Sequence, residues 1–202
     1  MSVNVVSPSP EFVAWRGNLS SELQQRMGQL ESDATVLRWF DPALVPGLLQ
    51  TRDYARAILN PLLAAVDNDG DVPPALEERL ARQRRWRASD TVTHFLVAEQ
   101  ALHTRVGDTD TTRAQLEMLL RPLPPTVTLG ILPRTTQSSS SATNFIAYDD
   151  THVVVETVTG KLVFTDPTNI GDYLSVFDTL GGHAVFGTDA EALIHEALTT
   201  HQ

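Results

Sequence analysis

The stretch VTLGILPRTTQSSSSATNFIAYDDTHVVVETVTGKLVFTD, residues 127–166, decides the fold class. Val127–Leu132, Asn144–Tyr148 and His152–Val158 are runs rich in β-branched and aromatic residues, separated by Pro, Ser and Asp clusters, the pattern of short strands. Thr159-Gly160 between HVVVETV and KLVFTD predicts a hairpin, with Thr a weaker first turn residue than Asn or Asp. Residues 137–143 (QSSSSAT) form a small low-complexity loop, a lid or a plain connector.

Outward from this sheet the pattern turns helical. Towards the C-terminus, Ile170–Leu180 and Asp189–Leu198 are predicted helices separated by Gly181-Gly182, with Thr188 or Asp189 capping the second. Towards the N-terminus, Thr109–Leu120 is a helix capped by Thr109, Asp110 or Thr111, and Thr91–Val97 is a buried strand running on through Glu99 to Leu102. Ala75–Ser89 reads as a helix after the loop Val66–Pro74, and Leu48–Leu59 as a helix that Asn60-Pro61 ends. Val36–Phe40 is a short strand or the end of a helix over Leu19–Asp33, and residues 1–14 form an irregular lead-in. The expectation is a single α+β domain over residues 15–202, a mostly antiparallel sheet of about five strands packed with helices.

The composition removes several functions. The 202 residues contain no cysteine, which excludes disulfides, thiolate nucleophiles and Cys-ligated metal. A net charge of −10 argues against general binding to a polyanion such as DNA or RNA. No apolar run reaches the ~18–20 residues of a membrane span and Met1–Pro10 lacks signal-peptide regions, so a cytoplasmic protein is expected. The six histidines are scattered without metal-ligand spacing, VDNDGD at 66–71 lacks the closing glutamate of a calcium loop, and no Gly-rich nucleotide motif or Gly-x-Ser-x-Gly elbow occurs. Neither a metal nor a cofactor is expected.

Two carboxylates lie inside runs that should be buried, Glu99 in FLVAEQAL and Glu156 in VVVETV. A buried carboxylate is paired or protonated, because an isolated charge is costly in low dielectric. Pointed into one cavity they would serve as general acid and base; paired with arginines from the run Arg79–Arg87, which holds five, they would be structural.

Three stretches are more specific. Glu31–Leu59, Arg79–Trp86 and Val97–Gly107 together resemble the effector domain of unknown function found C-terminal to XRE-type helix-turn-helix motifs in actinobacterial, antitoxin-like transcriptional regulators. The residues that carry the resemblance are Pro46-Gly47-Leu48-Leu49-Gln50-Thr51, Tyr54-Ala55-Arg56, Arg82-Gln83 and Glu99, with weaker matches at Gln115-Leu116, Leu132-Pro133, Phe145 and Glu156. Such regulators carry a DNA-reading domain of roughly 60 residues ahead of this region, whereas here at most fifteen irregular residues precede it, so no nucleic-acid contact is expected.

The resemblance implies a small-molecule-sensing or protein-interaction domain, taking an apolar-bodied molecule or a partner regulator protein, and leaves a homodimer open. Trp39, Gln50, Tyr54, Arg82, Gln83, Glu99, Phe145 and Glu156 are the expected ligand contacts, on the reading that Pro46-Gly47 turns the chain into a helix with free N–H groups. The alternative is a cofactor-independent cyclase- or isomerase-type enzyme on a natural-product intermediate, with Glu99, Glu156 and then His103 as acid or base. A buried structural network of the same residues competes with both.

Overall fold

A computed structural model describes residues 9–14, 28–66, 72–135 and 143–201. Seven strands form one mixed sheet: β1 (Glu11–Ala14), β2 (Val36–Asp41), β3 (Val92–Ala98), β4 (Val127–Leu132), β5 (Phe145–Tyr148), β6 (His152–Glu156) and β7 (Gly160–Phe164), in spatial order β1-β7-β6-β5-β2-β3-β4. The helices are α1 (28–33), α2 (Arg52–Val66), α3 (Val72–Arg87), α4 (Glu99–His103), α5 (Thr109–Leu119), α6 (Pro167–His183) and α7 (Gly187–Thr200), and a 3₁₀ turn spans Gly47–Leu49.

The α+β class is as expected, but the sheet has seven strands instead of about five and is mixed, with four antiparallel and two parallel pairings. From β1 across β7, β6 and β5 to β2 every pairing is antiparallel, whereas β2–β3 and β3–β4 are parallel. The connections dictate this. Parallel neighbours require a crossover of a dozen or more residues, which α2 with α3 provides between β2 and β3, and α4 with α5 between β3 and β4. The extra edge strand comes from Glu11–Ala14, within the lead-in that was expected to be irregular.

Side chains alternate across the sheet with a period of two. Leu37, Trp39, Phe95, Val97, Ile131, Ile146 and Val154 pack on one face against Tyr54, Leu102, Leu116, Leu119 and Ile194 from α2, α4, α5 and α7. Phe40, Leu96, Leu132, Phe145, Ala147, Val153 and Val155 occupy the other face under Ile170, Phe177 and Leu180 of α6. With both faces covered, a strand such as HVVVE reads as a continuous apolar run.

Several boundaries differ from the sequence reading. Glu99 lies in the first turn of α4, because β3 ends at Ala98. Helix α2 continues through Pro61, whose exposed position puts the missing N–H where water can compensate. Gly181-Gly182 fall inside α6, so they do not separate the last two helices. Asp108 caps α5, accepting from Thr111 N at 2.8 Å, and α7 begins after Phe186 with no side-chain cap. The hairpin turn lies at Thr157–Thr159, closed by Thr157 Oγ1 and Gly160. The expected helix over Leu19–Asp33 is described only at 28–33, and the connector 137–143 lies outside the described residues except Thr143.

Candidate functional site

The carboxyl ends of β2, β3 and β4 share one edge of the sheet, and β5 to β7 bring their own polar ends to it. Register explains why. Phe40 pairs with Phe145, Ile146 with Val154, and Glu156 with Lys161, so Asp41, Asn144, Glu156 and Lys161 fall in one row across four adjacent strands. All four lie on the face that carries Trp39, Ile146 and Val154.

The row is bonded laterally. Asn144 Nδ2 donates to Glu156 Oε2 at 3.0 Å, and Lys161 Nζ lies 3.3 Å from Glu156 Oε1. Burial pushes the Glu156 carboxyl up, but the Lys161 ammonium, the Asn144 amide and the Arg79 guanidinium outweigh it and hold the group below its ordinary value. Burial also lowers Lys161, with Glu156 opposing. Lys161 is 9% exposed at its side chain, yet Glu156, at the end of an interior strand, is 35% exposed, so the row reaches the surface there.

Asp41 ends β2 at the Asp-Pro break. Its Oδ1 accepts from Ala43 N at 3.1 Å and Leu44 N at 2.9 Å, an Asx turn that the Asp-Pro pair builds. Burial raises its carboxyl to about 7 against these backbone donors, with the Glu156 charge adding to the rise.

Helices α1 and α3 bring more charge to this face. Arg82 forms a two-point pair with Glu31, Nε to Oε2 being 3.0 Å, and both side chains are largely buried. Burial works against the Arg82 charge, but the Glu31 carboxylate outweighs it and raises the group above its ordinary value. Tyr148, buried on β5, is pushed well above the ordinary phenol range by burial and then by Glu31. One turn before Gln83, Arg79 donates to Gln50 Oε1 at 2.7 Å; burial and then Arg82 lower it to about 10.

The expected contacts therefore separate into distinct groups. Gln50, Tyr54 and Gln83 form a latch around the Pro46-Gly47 turn. Gln50 Nε2 donates to Val45 O at 2.8 Å, Val45 N donates to the Tyr54 hydroxyl at 3.3 Å, and Gln83 Nε2 donates to Gly47 O at 2.7 Å and Gln50 O at 2.9 Å. At the entry to α2, Thr51 N donates to Gln115 Oε1 at 2.7 Å, so this donor is satisfied from within the fold. Phe145 faces the opposite side of the sheet, 5.1 Å from Tyr173 and 6.3 Å from Phe177 between ring centres. Trp39 is buried, and its indole N–H has no acceptor among the described residues.

Glu99 belongs to a separate cluster. Its Oε2 accepts from Arg134 N at 2.8 Å and its Oε1 lies 2.6 Å from Arg134 Nε, which ties α4 to the segment after β4. His103 Nε2 is 3.5 Å from Glu99 Oε1 without hydrogen-bond geometry, while its Nδ1 contacts Thr200 Oγ1 at 3.2 Å. Strands β2 and β5 stand between β3 and β6, a separation of roughly 14 Å at the usual strand spacing, so Glu99 and Glu156 do not share one reacting centre.

The sequence reading missed Asp41, Arg79, Asn144 and Lys161 as site residues. The period of two in VLRWFD places Asp41 on the face of Trp39, and the chain's only lysine stands inside the apolar strand GKLVF; both signals were present. No group of three or more metal-ligating side chains occurs among the described residues. At the opposite end of the parallel strands, Leu49, Trp86, Met118, Leu123, Arg87 and Arg121 line an open groove of about 450 Å³.

Fold and site together define an α+β domain with a row of charged and polar side chains at the carboxyl edge of its sheet. The chain belongs to the family of a domain of unknown function, DUF5753, which matches residues 24–196. No curated protein matches it. Among solved structures it is similar to a phospholipase D family member, Nuc from Salmonella typhimurium, at 9% identity over 88% of this chain and 98% of that chain, with a TM-score of 0.49. It is also similar to TrmBL2, an archaeal chromatin protein, at 9% identity over 93% of this chain and 57% of that chain, with a TM-score of 0.43. Neither likeness bears on function. Among the described residues no helix is long and apolar enough to cross a membrane.

Proposed function

We propose that this chain is a small-molecule-sensing domain of regulator type, whose ligand sits in a crevice between the row Asp41–Asn144–Glu156–Lys161 and helix α3. The observation that supports it best is the exposure of Glu156, 35%, at the end of an interior strand among groups that are otherwise buried. A purely structural network would close over its charges, because a half-satisfied buried network costs more than an apolar core. The charged row would set the orientation of such a ligand.

In a sensing domain, a ligand that touches both the strand row and α3 favours the arrangement in which they are closed together. Its signal would then pass through α3 and the Gln83 latch to the Pro46-Gly47 turn. The test is native mass spectrometry of the protein after exposure to a small-molecule extract of its own cell. Retention of one molecule with unchanged mass supports sensing; neither a retained molecule nor a co-purifying partner contradicts it.

A second reading, a cofactor-independent enzyme acting on a natural-product intermediate, is favoured by Asp41. A carboxyl raised to about 7 is poised near neutrality for proton transfer, and Asn144 and Glu156 flank it. Under this reading the retained molecule changes mass during incubation, and Asp41→Asn abolishes the change.

A further inference from the structure

We infer that the crevice takes a small-molecule carboxylate, and that Arg79 is the residue that binds it; this deepens the sensing reading and rests on it. Three cations and two glutamates approach each other here from α1, α3, β6 and β7. Glu31 is committed to Arg82 through two bonds, and Glu156 to Asn144 and Lys161. Arg79 is left without a carboxylate among the described residues: its one hydrogen bond goes to the neutral amide oxygen of Gln50. A guanidinium has five N–H donors in a planar fork, so four remain for a ligand.

The position excludes the bland explanation. An arginine on the water side of a helix needs no partner, but Arg79 is half-buried and faces the sheet, where burial weakens its charged form. Its electrostatic neighbours are Arg82, which repels it, and Glu156 and Glu31, which attract it but are bonded elsewhere. A ligand carboxylate would fit the fork with two parallel bonds and supply the missing counter-charge.

The experiment uses the whole protein, Arg79→Met and Arg79→Lys, with octanoate and phenylacetate as probes and their neutral amides as controls. Thermal melting and calorimetric titration are read together. The expected result is that both acids and neither amide raise the melting temperature. Affinity for the acids falls about tenfold or more in Arg79→Met, with Arg79→Lys intermediate, as a lost charge-assisted bond implies. Without probe, Arg79→Met melts close to the parent, because the donor lost to the Gln50 amide oxygen is offset by replacing a cation that lacks a counter-charge with an apolar side chain.

Equal binding of acid and amide, unchanged affinity in Arg79→Met, or no effect of the acids on the parent overturns the inference. So does an Arg79→Met variant that melts well below the parent or does not fold, since Arg79 would then be a strut for Gln50. These failures leave the sensing reading standing if parent and Arg79→Lys still retain a molecule from the cell extract. If nothing is retained, that reading falls as well.

Discussion

Asp41 makes the sharpest prediction at the scale of the single residue. Its folded-state value, about 7, lies above the 3.8 of an ordinary aspartate, so the folded chain binds this proton more tightly than the unfolded chain. Stability from this group is therefore full below about pH 4, falls as pH rises through 7, and is level above that. The loss is at most about 4 kcal/mol, and Asp41→Asn, which keeps the Asx turn, flattens the profile between pH 4 and 8 in urea unfolding. Gln83 is a different case. Gln83→Ala removes the side-chain donor to the carbonyls of Gly47 and Gln50 and costs about 1–3 kcal/mol, measured as a shift in the urea midpoint without a change in slope. Glu31→Gln breaks a buried ion pair and leaves Arg82 uncompensated, a loss of about 3–5 kcal/mol in the same assay.

At the scale of elements, the hairpin β6–β7 and the edge strand β1 depend on one glycine. A Cβ on Gly160 would stand 2.4 Å from the backbone oxygen of Val13, a contact that only movement of β1 relieves. Gly160→Ala is expected to detach β1, which hydrogen exchange would report as lost protection at β1 and β7 with β3 and β4 unchanged. The strands β4, β5 and β6 were legible because β-branched runs bounded by Pro and Asp have few other solutions. Glu99 was read as strand because FLVAEQAL is apolar enough to continue one, and only packing ends β3 at Ala98. Pro61 and Gly181-Gly182 were read as breaks; in the fold, tertiary contacts along α2 and α6 carry both helices past these residues.

At the scale of the whole molecule, the two faces of the sheet do different work. The face under α6 carries an apolar cluster, and Phe145→Ala there is expected to cost about 3–5 kcal/mol while leaving ligand affinity unchanged in calorimetric titration, provided the variant is studied below its melting point. The other face grades from apolar core beneath α2, α5 and α7 to charge beneath α1 and α3. This grading is why the site was only partly legible: Glu156 stood out against its apolar run, but Asn144 and Lys161 became its neighbours through the register of β5, β6 and β7, and Asp41 joined the row through strand pairing across more than a hundred residues. Which helix would cover them was equally invisible, since Arg79 is one of five arginines in a helix whose sequence has no single apolar face.

The measurement that bears most directly on the crevice is a crystal structure of the protein with the molecule it retains from its own cell. The account predicts that molecule between α3 and the row Asp41–Asn144–Glu156–Lys161, with an anionic oxygen pair on the Arg79 guanidinium. A molecule seated instead in the groove lined by Leu49, Trp86, Met118 and Leu123, with the crevice around Glu156 unoccupied, would contradict it.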